Sequence, residues 1–120
     1  MLYNILIVDD NEDICNVISD ALKEEGCTVT ITHNGMDAIK EVSNKQYDSV
    51  VLDYRLLEKD GLEVLQEIRK IAPSLAVVMI SAYGNEYIKA KARELGVYQF
   101  FDKPFDLQNL VSTVKRAAKG

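Results

Sequence analysis

Residues 5–13 read Ile-Leu-Ile-Val-Asp-Asp-Asn-Glu-Asp (ILIVDDNED), an apolar run that turns at Asp9 into a crowd of acids. A short aliphatic run bounded by polar residues suits a strand buried on both faces, the habit of a parallel sheet. Ser49–Leu52 and Ala76–Ile80 repeat the pattern. Thr28–Thr32 alternates polar and apolar residues, as a strand near an edge does, and the aromatic-rich Val97–Phe101 supplies a fifth strand.

Between these runs the apolar period becomes helical: Ile14, Ile18 and Leu22; Ile39 and Val42; Leu62, Leu65 and Ile68; Ile88, Ala92 and Leu95; Leu110, Val111 and Val114. Gly26 and Gly96 stand where helices end, Asn34-Gly35 where the second begins, and Pro73 where the third must stop. Strict strand–helix alternation predicts parallel strands joined by right-handed crossovers, with helices on both faces. The expected fold is therefore α/β, a flavodoxin-like (βα)5 three-layer sandwich with a five-stranded sheet of order 2-1-3-4-5. Sheets of that order bind ligands at the carboxyl ends of strands 1 and 3.

The 120 residues fit one domain, expected to span 1–120. A formal charge of −5 argues against gripping nucleic acid through its phosphates. No apolar run approaches the roughly 20 residues of a membrane span, and the first residues lack the pattern of a secretory signal, so a cytoplasmic location is expected. Cys15 and Cys27 have no metal-binding or redox spacing and read as reduced, partly buried fillers.

The predicted rim gathers Asp9 and Asp10 after the first strand, Asp53 after the third, Ser81 after the fourth and Lys103 after the fifth. Three close carboxylates remain ionised only around a cation, and all-oxygen ligands favour Mg2+ or Mn2+ over zinc. The competing local use of Asp9-Asp10 is to cap the first helix, whose positive end also suits Glu12 and Asp13. Lys103 is a surface lysine unless Pro104 fixes the turn, a cis peptide being one way, and aims the ammonium at the acids. Ser81, followed by the small Ala82, can donate to an anion. A carboxylate, a divalent cation, a lysine and a hydroxyl together suit in-line phosphoryl transfer, with Asp53 as nucleophile.

Asp9-Asp10, Asp53, Ser81-Ala82 and Lys103-Pro104-Phe105, in this order and spacing, resemble the receiver domain of two-component response regulators. Both stand-alone phosphorelay receivers and the N-terminal receivers of longer regulators have this pattern. The resemblance implies that Asp53 accepts a phosphoryl group from a sensor histidine kinase or phosphotransfer protein. It implies Asp10, Asp53 and the Arg55 backbone carbonyl as Mg2+ ligands, with Asp9 adjacent or bound through water. Lys103 would pair with the phosphoryl group, Ser81 would close onto it, and Phe100 would be the switch aromatic that turns inward in response. A downstream partner or output domain would read the change, the chain itself being a monomer or a weak phosphorylation-linked dimer. His33 reads as a surface residue.

After the acceptor the chain departs from the common D-x-x-M-P-x-M-D-G pattern, with Leu57 in place of proline and Lys59 in place of methionine. Arg55, two residues past Asp53, is placed to overhang the site and slow the water that hydrolyses an acyl phosphate. Two other classes compete: a pseudo-receiver that binds partners without phosphorylation, and a metal-dependent phosphatase with an aspartyl nucleophile. The phosphatase family of that type wants D-x-D after its first strand, whereas here the pair is adjacent.

Overall fold

The computed structural model describes residues 2–120. Five strands, β1 (Asn4–Val8), β2 (Thr28–Thr32), β3 (Ser49–Asp53), β4 (Ala76–Ser81) and β5 (Gln99–Asp102), form one parallel sheet of order β2-β1-β3-β4-β5. They alternate with α1 (Glu12–Glu24), α2 (Gly35–Asn44), α3 (Gly61–Ile71), α4 (Glu86–Glu94) and α5 (Leu107–Lys119). The expected flavodoxin-like architecture is the one observed.

Side chains of a strand point alternately to opposite faces, so each apolar run builds two cores. Ile5, Ile7, Val51, Val78, Ile80 and Phe101 meet Cys15, Ile18 and Leu22 of α1 and Leu110, Val111 and Val114 of α5. Leu6, Val8, Val50, Leu52, Val77 and Met79 meet Ala38 and Val42 of α2, Val64, Leu65 and Ile68 of α3, and Ala92 of α4. Burying each such side chain contributes about 1.5–3 kcal/mol, which explains why the interiors of the central strands are apolar.

Helix ends follow local chemistry. The first helix is capped by Asn11, whose side chain accepts the Ile14 N–H at 3.1 Å, so neither Asp9 nor Asp10 is spent on the cap. Glu12 and Asp13 occupy its first turn, where the helix dipole favours them. Asp60 and Glu63 form a reciprocal capping box at the start of α3. Gly26 and Gly96 end α1 and α4 with φ of +88° and +74°. The fifth strand starts at Gln99 rather than at the expected Val97, because the Val97 N–H is bonded back to the Ala92 carbonyl in the turn that closes α4.

Two contacts fix the loops at opposite edges of the sheet, the first beside the rim and the second at the amino ends of the strands. A Cβ on Gly61 would lie 2.7 Å from both the Asp53 carbonyl oxygen and the Tyr54 Cα, so only glycine lets α3 begin this close to the end of β3. The guanidinium of Arg69, on α3, donates to the carbonyls of Leu75, Leu95 and Gly96, stapling the C-terminal end of α4 to its neighbour.

Candidate functional site

The face alternation that builds the cores also sorts the rim. Asp53 continues the Val51 face of β3 and Lys103 the Phe101 face of β5, the side covered by α1 and α5, and Asp9 follows Ile5 and Ile7 on that same side. Ser81 and Phe100 fall on the opposite face, with Met79 and α4.

Asp9 is fully buried and every polar atom it carries is engaged. Its N–H donates to the Thr32 carbonyl at 3.2 Å, and its own carbonyl lies 2.9 Å from His33 Nδ1 and 3.2 Å from Cys15 Sγ. One carboxylate oxygen accepts the Asn11 N–H at 2.9 Å, and the other is 3.2 Å from Lys103 Nζ. Asp10 is the opposite case, exposed and, among the described residues, in no side-chain hydrogen bond or ion pair. Its carboxylate is free for a ligand.

Lys103 Nζ also reaches Asp53 at 3.5 Å, and its side chain is only 17% exposed. Burial first, and then the charge of Asp9, push the Asp53 carboxyl from 3.8 up to about 7, with the Lys103 ammonium opposing both. One cation therefore faces two buried acids and a third nearby. Carboxylate oxygens of Asp9, Asp10 and Asp53 lie within 4.8 Å of one another, the only such group of metal-binding side chains among the described residues. An excess of close negative charge, an all-oxygen donor set and an unengaged Asp10 fit a hard cation.

Asp9, Asp10, Asn11, Asp53, Arg55, Ala82, Tyr83 and Lys103 line a cavity of about 260 Å³. Over it the Arg55 guanidinium stacks 4.6 Å from the centre of the Tyr83 ring. Ser81 stands just behind, fully buried, its hydroxyl oxygen accepting the Tyr83 N–H at 2.9 Å. Phe100 packs against Gly84, where a Cβ would come within 2.6 Å of its ring, and Lys89 lies 5.7 Å over it while pairing with Asp102 at 2.9 Å. The Lys103–Pro104 peptide is cis. Asn11, Tyr83, His33 and Cys15 were not foreseen as parts of the site. Tyr83 alone had a signal, since it follows Ser81 by the interval at which Arg55 follows Asp53.

A parallel five-stranded sheet with a triad of acids and a lysine gathered at its carboxyl edge defines an α/β module with a polar site at its topological switch point. The chain belongs to the response regulator receiver domain family, whose model matches residues 5–115. It is 38% identical over 120 residues to an NtrX-like response regulator of Rickettsia bellii, covering 98% of this chain and 25% of that protein. Among solved structures it superposes on NtrX of Brucella abortus with a TM-score of 0.89 at 35% identity, covering 99% of this chain and 27% of the other. A CheY-like receiver protein of Methanospirillum hungatei shares the fold, with a TM-score of 0.95 at 24% identity over 99% of this chain and 95% of the other. The chain spans about a quarter of the length of the curated relatives it matches most strongly. No helix among the described residues is long and apolar enough to cross a membrane.

Proposed function

We propose that the chain, as one receiver unit over residues 1–120, takes a phosphoryl group from a phosphohistidine donor onto Asp53. The observation that carries this reading is the position of Lys103 Nζ, 3.2 Å from Asp9 and 3.5 Å from Asp53, beside an Asp10 that binds nothing else. An Asp53 carboxylate oxygen attacks phosphorus in line; the P–N bond to the donor imidazole breaks, and its electron pair stays on the ring nitrogen, which takes up a proton. Lys103 offsets charge on the equatorial oxygens. Mg2+, or Mn2+, held by Asp10, Asp53 and the Arg55 carbonyl with Asp9 adjacent, would neutralise charge on the transferred group.

Only the ionised Asp53 is a nucleophile, so the charge of Lys103 and of the cation must overcome the effect of burial that favours its protonated form. Ser81 then exchanges its role as acceptor from Tyr83 for donation to the phosphoryl oxygens, and Phe100, behind it on the same face, reports the change to α4 and β5. The donor is a sensor histidine kinase or phosphotransfer protein, the reader a downstream partner or output domain, and the setting cytoplasmic. A cleft beside the rim, lined by Ile14, Val17, Ile18 and Phe105 with Asp13 at its edge, supports docking of the donor there.

The test is intact-protein mass after incubation with acetyl phosphate and Mg2+. Wild type gains one phosphoryl group and Asp53→Asn does not; a wild type that gains none overturns the reading.

A further inference from the structure

The carbonyl oxygen of Asp9 has side-chain neighbours on two sides, although only one comes from the adjoining helix. Cys15, on α1, approaches at 3.2 Å, and His33 Nδ1 at 2.9 Å from the loop between β2 and α2. A carbonyl oxygen only accepts, so Nδ1 carries the proton. The same proton rules out a nucleophile–base pair with the sulfur 4.0 Å away. Burial, reinforced by the charge of Asp9, pushes the Cys15 thiol up to about 12, so it remains a weak S–H donor behind the stronger N–H.

His33 does not cap α2, which Asn34 does by accepting the Asp37 N–H at 2.8 Å. His33 follows Thr32, the register partner of Val8, so the β1–β2 pairing sets it beside Asp9, and from there its ring takes the Asp9 carbonyl rather than a local partner. Together with Thr32, which accepts the Asp9 N–H, it grips both backbone polar atoms of Asp9. The Asp9 carbonyl and the Asp10 N–H belong to one rigid peptide plane. Holding its oxygen fixes the Asp10 N–Cα bond from which that side chain branches, narrowing the directions it can take.

We propose that His33 is a positioning residue for the divalent-cation site: its Nδ1–H, bonded to the Asp9 carbonyl, sets the Asp9–Asp10 peptide so that the Asp10 carboxylate faces the ion. This rests on the cation site described above and adds to it a support that comes from outside the acidic cluster.

The experiment is calorimetric titration of this chain with Mg2+, alongside urea unfolding in chelator. His33→Ala weakens Mg2+ binding by about 10-fold, the lower end for groups that orient metal ligands, while the chelated fold keeps its urea midpoint. His33→Asn, whose amide N–H stands near the place of Nδ1, restores most of the affinity; His33→Gln, whose amide reaches toward the place of Nε2, does not. An alanine variant within about two-fold of wild type overturns the inference, as does a glutamine variant that matches the asparagine one. Should His33→Ala fail to fold, the comparison of asparagine with glutamine decides alone. A wild type that takes up neither Mg2+ nor Mn2+ overturns the cation site as well, which separates the two failures.

Discussion

Asp53→Asn should make the metal-free domain more stable at alkaline pH, although it removes the proposed phospho-acceptor. Asp53 is 4% exposed, and in the fold its carboxyl loses its proton only near about 7, against 3.8 ordinarily. Below about pH 4 folded and unfolded chains both hold that proton, and the folded state is not penalised. Between about 4 and 7 the unfolded chain has released it and the folded one retains it, so stability falls as pH rises. Above about 7 both are ionised and the full penalty stands. At about 1.4 kcal/mol per tenfold, the ceiling is on the order of 4 kcal/mol, less whatever the amide loses as a poorer partner for Lys103. With an m-value of about 1–3 kcal/mol per molar urea, the midpoint at pH 8 in chelator should rise by on the order of 1 M. Its decline from pH 5 to 8 should also flatten, and Mg2+ should then stabilise wild type more than the variant, since binding to the folded state alone adds stability. An Asp53→Asn protein no more stable than wild type at pH 8 without metal, or one with the same pH slope, would refute the electrostatic reasoning.

Three further outcomes follow from the geometry. Arg55→Ala and Tyr83→Ala each shorten the half-life of the acyl phosphate by about 2- to 5-fold, as expected for losing one exposed cation–π contact, and the double variant is no faster than either single; unchanged half-lives would remove the proposed shield. Val17→Glu charges the apolar cleft beside Phe105 and slows labelling by a histidine-phosphorylated donor while acetyl phosphate labels it at the wild-type rate; equal rates with both donors would exclude docking there. Glu58, which has a φ of +72° in the loop after Asp53, should become more favourable as glycine by about 0.5–1 kcal/mol in thermal unfolding, the left-handed penalty of about 1–2 kcal/mol less the greater freedom glycine gives the unfolded chain.

The sheet was legible because both faces of its central strands are buried, so runs such as Ile5–Val8 could only be inner strands of a parallel sheet. Helix starts were legible where a single capping residue precedes the stripe, as Asn34 and Asp60 do. At the first helix the sequence pointed to Asp9-Asp10 as the competing cap, and only geometry assigns it to Asn11, which is what leaves Asp10 free. The acids and Lys103 could be placed together because topology sends every strand end to one edge. Lateral contacts had no such guide: the His33 bond to Asp9 and the stacking of Arg55 on Tyr83 join loops whose separation in sequence carries no period. The split between Asp53 and Ser81 across the two faces was readable in principle from strand parity, once the register Asp53–Ile80 is known.

The Arg69 staple gives α4 the mechanics of a lever. Two of its hydrogen bonds, to the Leu95 and Gly96 carbonyls, fasten the end of α4 to α3, while the first turn of α4, capped by Asn85, adjoins the loop that carries Tyr83 over the cavity. A rod of nine residues is about 13 Å long, so a tilt of about 10° about the fastened end carries the free end roughly 2 Å. Under the proposed switch, a draw on Ser81 would pull near the free end of a clamped arm, and the surface displaced most would lie beside Tyr87, far from the clamp.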